Sequence, residues 1–482
     1  MAGPDSPLLI RNAELWHGSD GGSRGDVLIE GGHISRVGKD FAAPEGARVL
    51  EAGGGLLLPG LHDHHVHLAG LAVRKLSVWC GPPDVMDGDA LSAALVSAKG
   101  DGWIRAIGYH ESVLGGLPDA KALDRLIPQR PLRMQHRSGR MWLLNSAALD
   151  LLLSQSKAPS GLEREHGRFT GRLFDEDAWM REALGSAPPD FAAISSDLSR
   201  QGVTGVTDMT PQNDPEMAAH FAAQRRSGAL AQSVRLAGTL DLAFAAQQGW
   251  TLGPVKLHLH EADLPPFDQA VDLVRKAHDQ VRPIAVHCVS EVELVFTLAF
   301  LEEAGSISGD RIEHASIASP EHLSRITDLG LAVCVQPHFV TERGDQYLAD
   351  VEPRLHRDLY RLQSLRAAGI AMAGGSDAPF GGIDPWAAMQ AAVSRATHSG
   401  AVISPEEALS PEQALSLWLA DPADLSRQRE LEPGAPADLC LLNRPWEQVR
   451  DRLTREDVAL TIASGRIVHQ IIDQPPFEGR TG

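Results

Sequence analysis

Eight short apolar runs, alternating with longer amphipathic stretches, are the feature that most narrows what this chain can fold into. They are Leu61–His67, Val203–Met209, Val234–Leu240, Val255–Glu261, Pro283–Val289, Arg311–Ala315, Leu331–Gln336 and Ile370–Asp377. Amphipathic segments at Pro266–Gln280, Glu291–Ala304, Pro320–Leu329 and Arg357–Ala368 read as helices, the last two each ending near a glycine. Repeated βα units with eight strands predict an α/β chain built on a (β/α)8 TIM barrel.

The two ends of the chain read differently. Leu8–Trp16, Val27–Glu30 and His33–Val37 are strand-like, and Gly31-Gly32 supplies a two-residue hairpin turn. Near the other end, Ala437–Leu442, Val458–Ala463 and Arg466–His469 are also strand-like. Neither set suffices for a stable sheet alone. The expectation is a small β-sandwich domain composed of residues 1–58 and 430–482, with the barrel spanning 59–429. The first two barrel strands are separated by a segment of about 69–200, too long for a βα connection, so it is read as an insertion or lid-like subdomain.

Composition removes several function classes. The 44 basic residues are outnumbered by 63 acidic ones and form no cluster, which argues against a nucleic-acid or membrane partner and leaves a small-molecule substrate. Cys80, Cys288, Cys334 and Cys440 are too scattered for a disulfide framework or a cysteine-based zinc module. With no signal-peptide pattern and no long apolar run, a soluble cytoplasmic protein is expected.

The chemistry gathers at strand ends. In Leu61-His62-Asp63-His64-His65-Val66-His67, alternation puts His65 and His67 on one face, a ready metal-ligand pair at the C-terminal end of a barrel strand. A bare H-x-H also fits solvated histidines. Three further strands, however, end in His287, His314 and Asp377, where barrel enzymes carry functional groups. Lys256 lies early in its strand, where a buried ammonium is costly unless paired or neutralised. A partly exposed lysine at a strand edge satisfies the same sequence.

Pro59-Gly60-Leu61-His62-Asp63-His64-His65-Val66-His67 is similar to the P-G-F-I-D-S-H-V-H segment of the amidohydrolase superfamily. Gly102-Trp103-Ile104, Asn145-Ser146-Ala147-Ala148-Leu149, Gly202-Val203-Thr204, Val255-Lys256, Val286-His287, Glu313-His314, Gly374-Gly375-Ser376-Asp377-Ala378-Pro379 and Ala437-Asp438-Leu439 match as well. The Trp103 and Asn145 neighbourhoods make the chain resemble the amidohydrolase-3 or YtcJ-like family in particular.

That resemblance implies that His65, His67 and Asp377 hold one metal and His287 and His314 another. Lys256, carboxylated by CO2, would bridge them. Zinc suits such imidazole and carboxylate ligands, with two ions per subunit expected and one as the alternative. A homodimer is implied by family analogy only. Two departures stand out. Ser138-Gly139-Arg140 replaces a D-G-H, making Arg140 a candidate for binding an anionic substrate or a surface arginine. Leu259-His260-Glu261-Ala262-Asp263 replaces an A-D-G-S, and His258 and His260 are expected on the Lys256 strand face.

The expected reaction is metal-dependent hydrolysis of an amide-type C–N bond (N-acyl, formamide or cyclic amide) by a metal-bound hydroxide. Asp377 both ligates and transfers the proton. Gln336 and His338, just past a strand end, are candidates for holding substrate. A lactone or ester hydrolase on the same site is the alternative. A non-catalytic scaffold fits less well, since all six ligand positions are filled. Nucleophilic cysteine or serine catalysis is discounted: Cys288 should face the barrel wall, Cys334 should pack, and no G-x-S-x-G occurs.

Overall fold

Strands covered on both faces have no polar side to show to water, and the apolar runs take that position. The computed structural model describes residues 6–18, 22–82, 84–185 and 188–471. Residues 1–5, 19–21 and 472–482 of the expected β domain lie outside these. The chain divides into two compact units, Met1–Leu68 with Asp190–Gly482, and Ala69–Pro189.

The first unit contains the barrel. Its strands are Leu61–Val66, Val203–Asp208, Ser233–Gly238, Thr251–His258, Ile284–Cys288, Arg311–His314, Ala332–Val335 and Met372–Gly374, each paired with the next in chain order. Every neighbouring pair is parallel. Closure comes from a parallel bridge between Val66 and Ala378, where the His67 N–H donates to the Ala378 carbonyl at 2.8 Å. Helices follow at Phe267–Asp279, Glu291–Ala304 and Pro320–Asp328, the latter two opened by capping boxes at Ser290 and Ser319.

Two expectations are corrected. The helix expected over Arg357–Ala368 is an α-helix only from Leu362 to Ala367, after a 3-10 helix at Pro353–Asp358. Tyr360 has φ 48°, and the buried Arg395 guanidinium takes the carbonyls of Leu359 and Tyr360 at 3.0 and 2.9 Å, so neither can serve a helix. The fourth barrel strand stops at His258. His260 instead caps the turn Glu261–Asp263, its ring accepting the Ala262 N–H, so only His258 remains on the strand with Lys256.

The unit also holds an eight-stranded mixed sheet drawn from both chain ends, ordered Arg466–Gln470, Val458–Ala463, Leu439–Leu442, Leu56–Pro59, Leu8–Leu15, Ser23–Glu30, His33–Gly38, with Arg48–Glu51 added on Leu8–Leu15. Leu56–Pro59 joins the two ends, pairing antiparallel with Leu439–Leu442 and parallel with Leu8–Leu15. Gly31 and Gly32, at φ 56° and 81°, make the hairpin turn that residues with a side chain adopt poorly.

The second unit has its own six-stranded mixed sheet, ordered Leu162–Glu165, Arg168–Phe174, Met141–Leu144, Leu132–His136, Ile104–Tyr109, Val78–Trp79. Asn145 locks it. The Asn145 carboxamide oxygen accepts the N–H groups of Leu132 and Ala148, and its nitrogen donates to the carbonyls of Ile127 and Arg130. The side chain thereby caps the helix Ser146–Gln155 and ties it to a strand. Asn145→Ala should lower stability by about 3 kcal/mol, because it strands buried donors and acceptors. Chemical denaturation measures this; an unchanged midpoint would contradict the role.

Candidate metal centre

The first barrel strand is buried along its whole length, and alternation turns His65 and His67 the same way. His65 Nδ1 lies 2.5 Å from Glu313 Oε2, so this nitrogen carries the proton and Nε2 presents its lone pair. That Nε2 lies 3.3 Å from Asp377 Oδ1, and His67 Nε2 lies 3.2 Å from the same oxygen. His67 Nδ1 is 3.1 Å from Thr210 Oγ1. Two imidazole nitrogens and a carboxylate oxygen thus face one another, an arrangement that needs a proton or a cation among them.

His314 joins from the sixth strand. Its Nδ1 donates to Gln336 Oε1 at 2.7 Å, which leaves Nε2 buried with no partner. The rings of His314 and His65 are 4.9 Å apart, those of His314 and His287 4.5 Å, and those of His287 and His258 4.3 Å. Lys256 is buried, and its Nζ also lacks a hydrogen-bond partner among the described residues. The structure therefore brings His65, His67, Lys256, His287, His314 and Asp377 together.

Strand alternation alone does not produce this cluster. Glu313 and His314 are consecutive, yet both serve it. His314 at φ 74° and Ala315 at φ 46° leave the extended conformation, so the chain turns where the strand ends. Asp377 is likewise left-handed at φ 51°, and its N–H donates to the His65 carbonyl at 2.6 Å. Gly375 permits that close approach, since a Cβ there would stand 2.5 Å from His65 Cβ.

Electrostatics follow from burial and neighbours. Burial and the charges of His314 and Lys256 hold His287 far below the ordinary histidine range, and burial brings His314 down to about 3, so both rings are neutral. Burial also lowers His65, but Glu313 and Asp377 more than offset it and the net shift is upward. Burial pushes Lys256 down towards the neutral amine. Asp377 is held well below the usual carboxylate range, because its contacts with His65, His67 and His314 outweigh burial.

Three supporting residues were missed from sequence. Glu313 is gripped by Arg311, whose Nε lies 2.5 Å from Oε1, while an Arg311 Nη donates to the His64 carbonyl at 3.0 Å. Asp63 Oδ1 accepts the N–H groups of His65 and Ser376, and so binds the first strand to the Asp377 turn. An Arg-x-Glu-His pattern ending a barrel strand was the available signal.

Gln336 is buried and committed to His314, which makes it a positioning group. His338 is buried, with Nε2 donating to the Ser376 carbonyl at 2.9 Å. Arg140 belongs to the second unit, where its guanidinium forms a two-pronged pair with Asp175 at 2.8 and 2.6 Å. Cys288 Sγ faces Thr297 and burial pushes its thiol up to about 12, while Cys334 is fully buried; neither is a nucleophile.

These residues fit a divalent metal. His65, His314 and Asp377 offer ligand atoms all within 4.8 Å of one another. The orphaned His314 Nε2 and Lys256 Nζ are the buried polar groups that an ion and a modified lysine would satisfy.

The model of the amidohydrolase family matches residues 48–469. The chain is 27% identical over 516 residues to N-substituted formamide deformylase of Arthrobacter pascens, covering 91% of this chain and 94% of that protein. It is 24% identical over 536 residues to the putative amidohydrolase YtcJ of Bacillus subtilis (strain 168), covering 95% and 99%. An uncharacterized metal-dependent hydrolase from Pyrococcus horikoshii OT3 shares the fold with TM-score 0.77 at 21% identity, over 92% of this chain and 99% of that one. Its counterpart from Pyrococcus furiosus gives TM-score 0.74 at 21% identity, over 91% and 99%.

Glu313→Gln keeps the shape but loses the charge that orients and polarises His65. Affinity for a divalent metal should fall about 10–100-fold, the effect expected where the lost partner orients a ligating histidine. Competition with a chromophoric chelator measures this, and unchanged affinity would remove Glu313 from the centre.

Proposed function

The chain belongs to the amidohydrolase family, and from that premise we propose that it hydrolyses an amide-type C–N bond at a zinc centre. One observation carries this reading: His65 Nε2 and His67 Nε2 converge on Asp377 Oδ1, beside the unpartnered His314 Nε2 and Lys256 Nζ. His65, His67 and Asp377 would hold one ion and His287 and His314 a second, with carboxylated Lys256 between them. The depressed Lys256 amine favours that modification, because the neutral form is the one that adds to CO2 and releases a proton.

A divalent ion there supplies acidity to water and polarises a carbonyl oxygen. The chain's own groups do the rest. Glu313 and Gln336 fix the rings of His65 and His314, so the site is organised before substrate arrives. Asp377 is placed to accept a proton from the attacking water at its carboxylate and return it to the leaving nitrogen. Overall, the carbonyl carbon gains the water oxygen, the C–N bond breaks, and the amine leaves protonated.

Support for the substrate class comes from the Arthrobacter pascens relative, named for N-substituted formamides and aligned over 94% of its length. N-substituted formamides are therefore the first class to assay, followed by N-acyl compounds, cyclic amides and lactones, all with zinc and bicarbonate supplied. Amide turnover should fall by about 10²–10⁴-fold or more in Asp377→Asn, with circular dichroism unchanged. Lactone-only turnover, or a fully active Asp377→Asn, would overturn the proposal.

A further inference from the structure

A cavity lies at the other end of the barrel from the metal centre. Its wall includes Ser233 and Thr251, the first residues of the third and fourth strands, and His62, near the start of the first. The metal-centre residues His287, His314 and Asp377 stand at or just beyond the opposite, C-terminal strand ends. The cavity encloses about 620 Å³, within the range of small-molecule sites.

Arg225, Arg235 and Arg429 border this space. Among the described residues, none of the three has a carboxylate oxygen within 4.0 Å. Arg225 spends Nη1 on the carbonyls of Leu230 and Ala231. Arg429 spends Nε and Nη2 on those of Ala420 and Trp418. Such bonds fix a guanidinium in place without neutralising it. The Arg235 side chain makes no hydrogen bond among the described residues.

The strain of this arrangement is electrostatic. Burial pushes Arg235 down to about 10, helped by the charge of Arg311, and burial brings Arg429 to about 10 as well. Glu430 and Glu432 border the cavity together with Asp421 and Asp438, and only the last two act on the arginines, from longer range. Each is engaged elsewhere, Asp421 with the Ala423 N–H and Asp438 with the Ser464 N–H. In a chain of net charge -19, three half-buried guanidiniums border one cavity with no acid within 4.0 Å among the described residues.

We propose that this cavity is a second binding site, separate from the metal centre, for a small phosphate-bearing ligand. Arg235 and Arg429 supply the forked donors that grip its oxygens, and Arg225 adds charge. The site is independent of the reaction proposed above.

Isothermal titration calorimetry with inorganic phosphate, in chloride at matched ionic strength, tests this on the zinc-loaded protein. One saturable site per chain should appear, with affinity about tenfold or more weaker in Arg235→Gln. The same site should persist in Asp377→Asn. Should Arg235→Gln fail to fold, Arg235→Lys retains the charge but not the fork, and weaker binding is again expected. No saturable binding up to about 10 mM, equal binding in a folded Arg235 variant, or loss of the site in Asp377→Asn would each overturn it.

Discussion

Everything at the centre hangs on a single carboxylate oxygen. Asp377 Oδ1 is the point on which His65 and His67 converge, and it lies on the turn that follows the last barrel strand. The seam closing the barrel runs beside it, through the His67–Ala378 and Asp377–His65 backbone hydrogen bonds. Ring closure and ligand placement are consequently one event: the first and eighth strands cannot meet without delivering both histidines to the aspartate. Asp63 fastens the same seam from below by accepting the N–H groups of His65 and Ser376.

A polar cluster of this kind works against folding. Each buried donor or acceptor left unpaired costs about 1–3 kcal/mol, and Lys256 Nζ and His314 Nε2 are both unpaired. The structure tolerates them because the surrounding strands are packed and bonded independently, and because Arg311, Glu313 and Gln336 hold the rings in place. These two unpaired groups are the ones the proposed metal centre would consume. On that proposal, stability given up at these groups would be recovered by binding.

Much of this was legible in the sequence. Eight apolar runs marked the barrel because fully covered strands need no alternation, and the H-x-H pair followed from the period of two. What escaped has identifiable causes. Glu313 was hidden because alternation sets it opposite His314, and only the left-handed residues at 314 and 315 bring both into use. His260 was placed on the Lys256 strand because nothing local announces that the strand ends at His258. Leu56–Pro59 ran straight into the Pro59-Gly60 motif and did not stand out as a strand, although it joins the two ends of the chain in one sheet. The bond that is cut lies beyond both sequence pattern and fold, since C–N and C–O hydrolysis ask the same of these six side chains.

The central claim is that these side chains form a zinc centre, and anomalous X-ray scattering at the zinc edge tests it most directly. Crystals grown with zinc and bicarbonate should show two anomalous peaks inside the cluster. One should be bordered by His65, His67 and Asp377 and the other by His287 and His314, with added density on Lys256 Nζ. Crystals of the folded protein with no anomalous peak within this cluster would contradict the account.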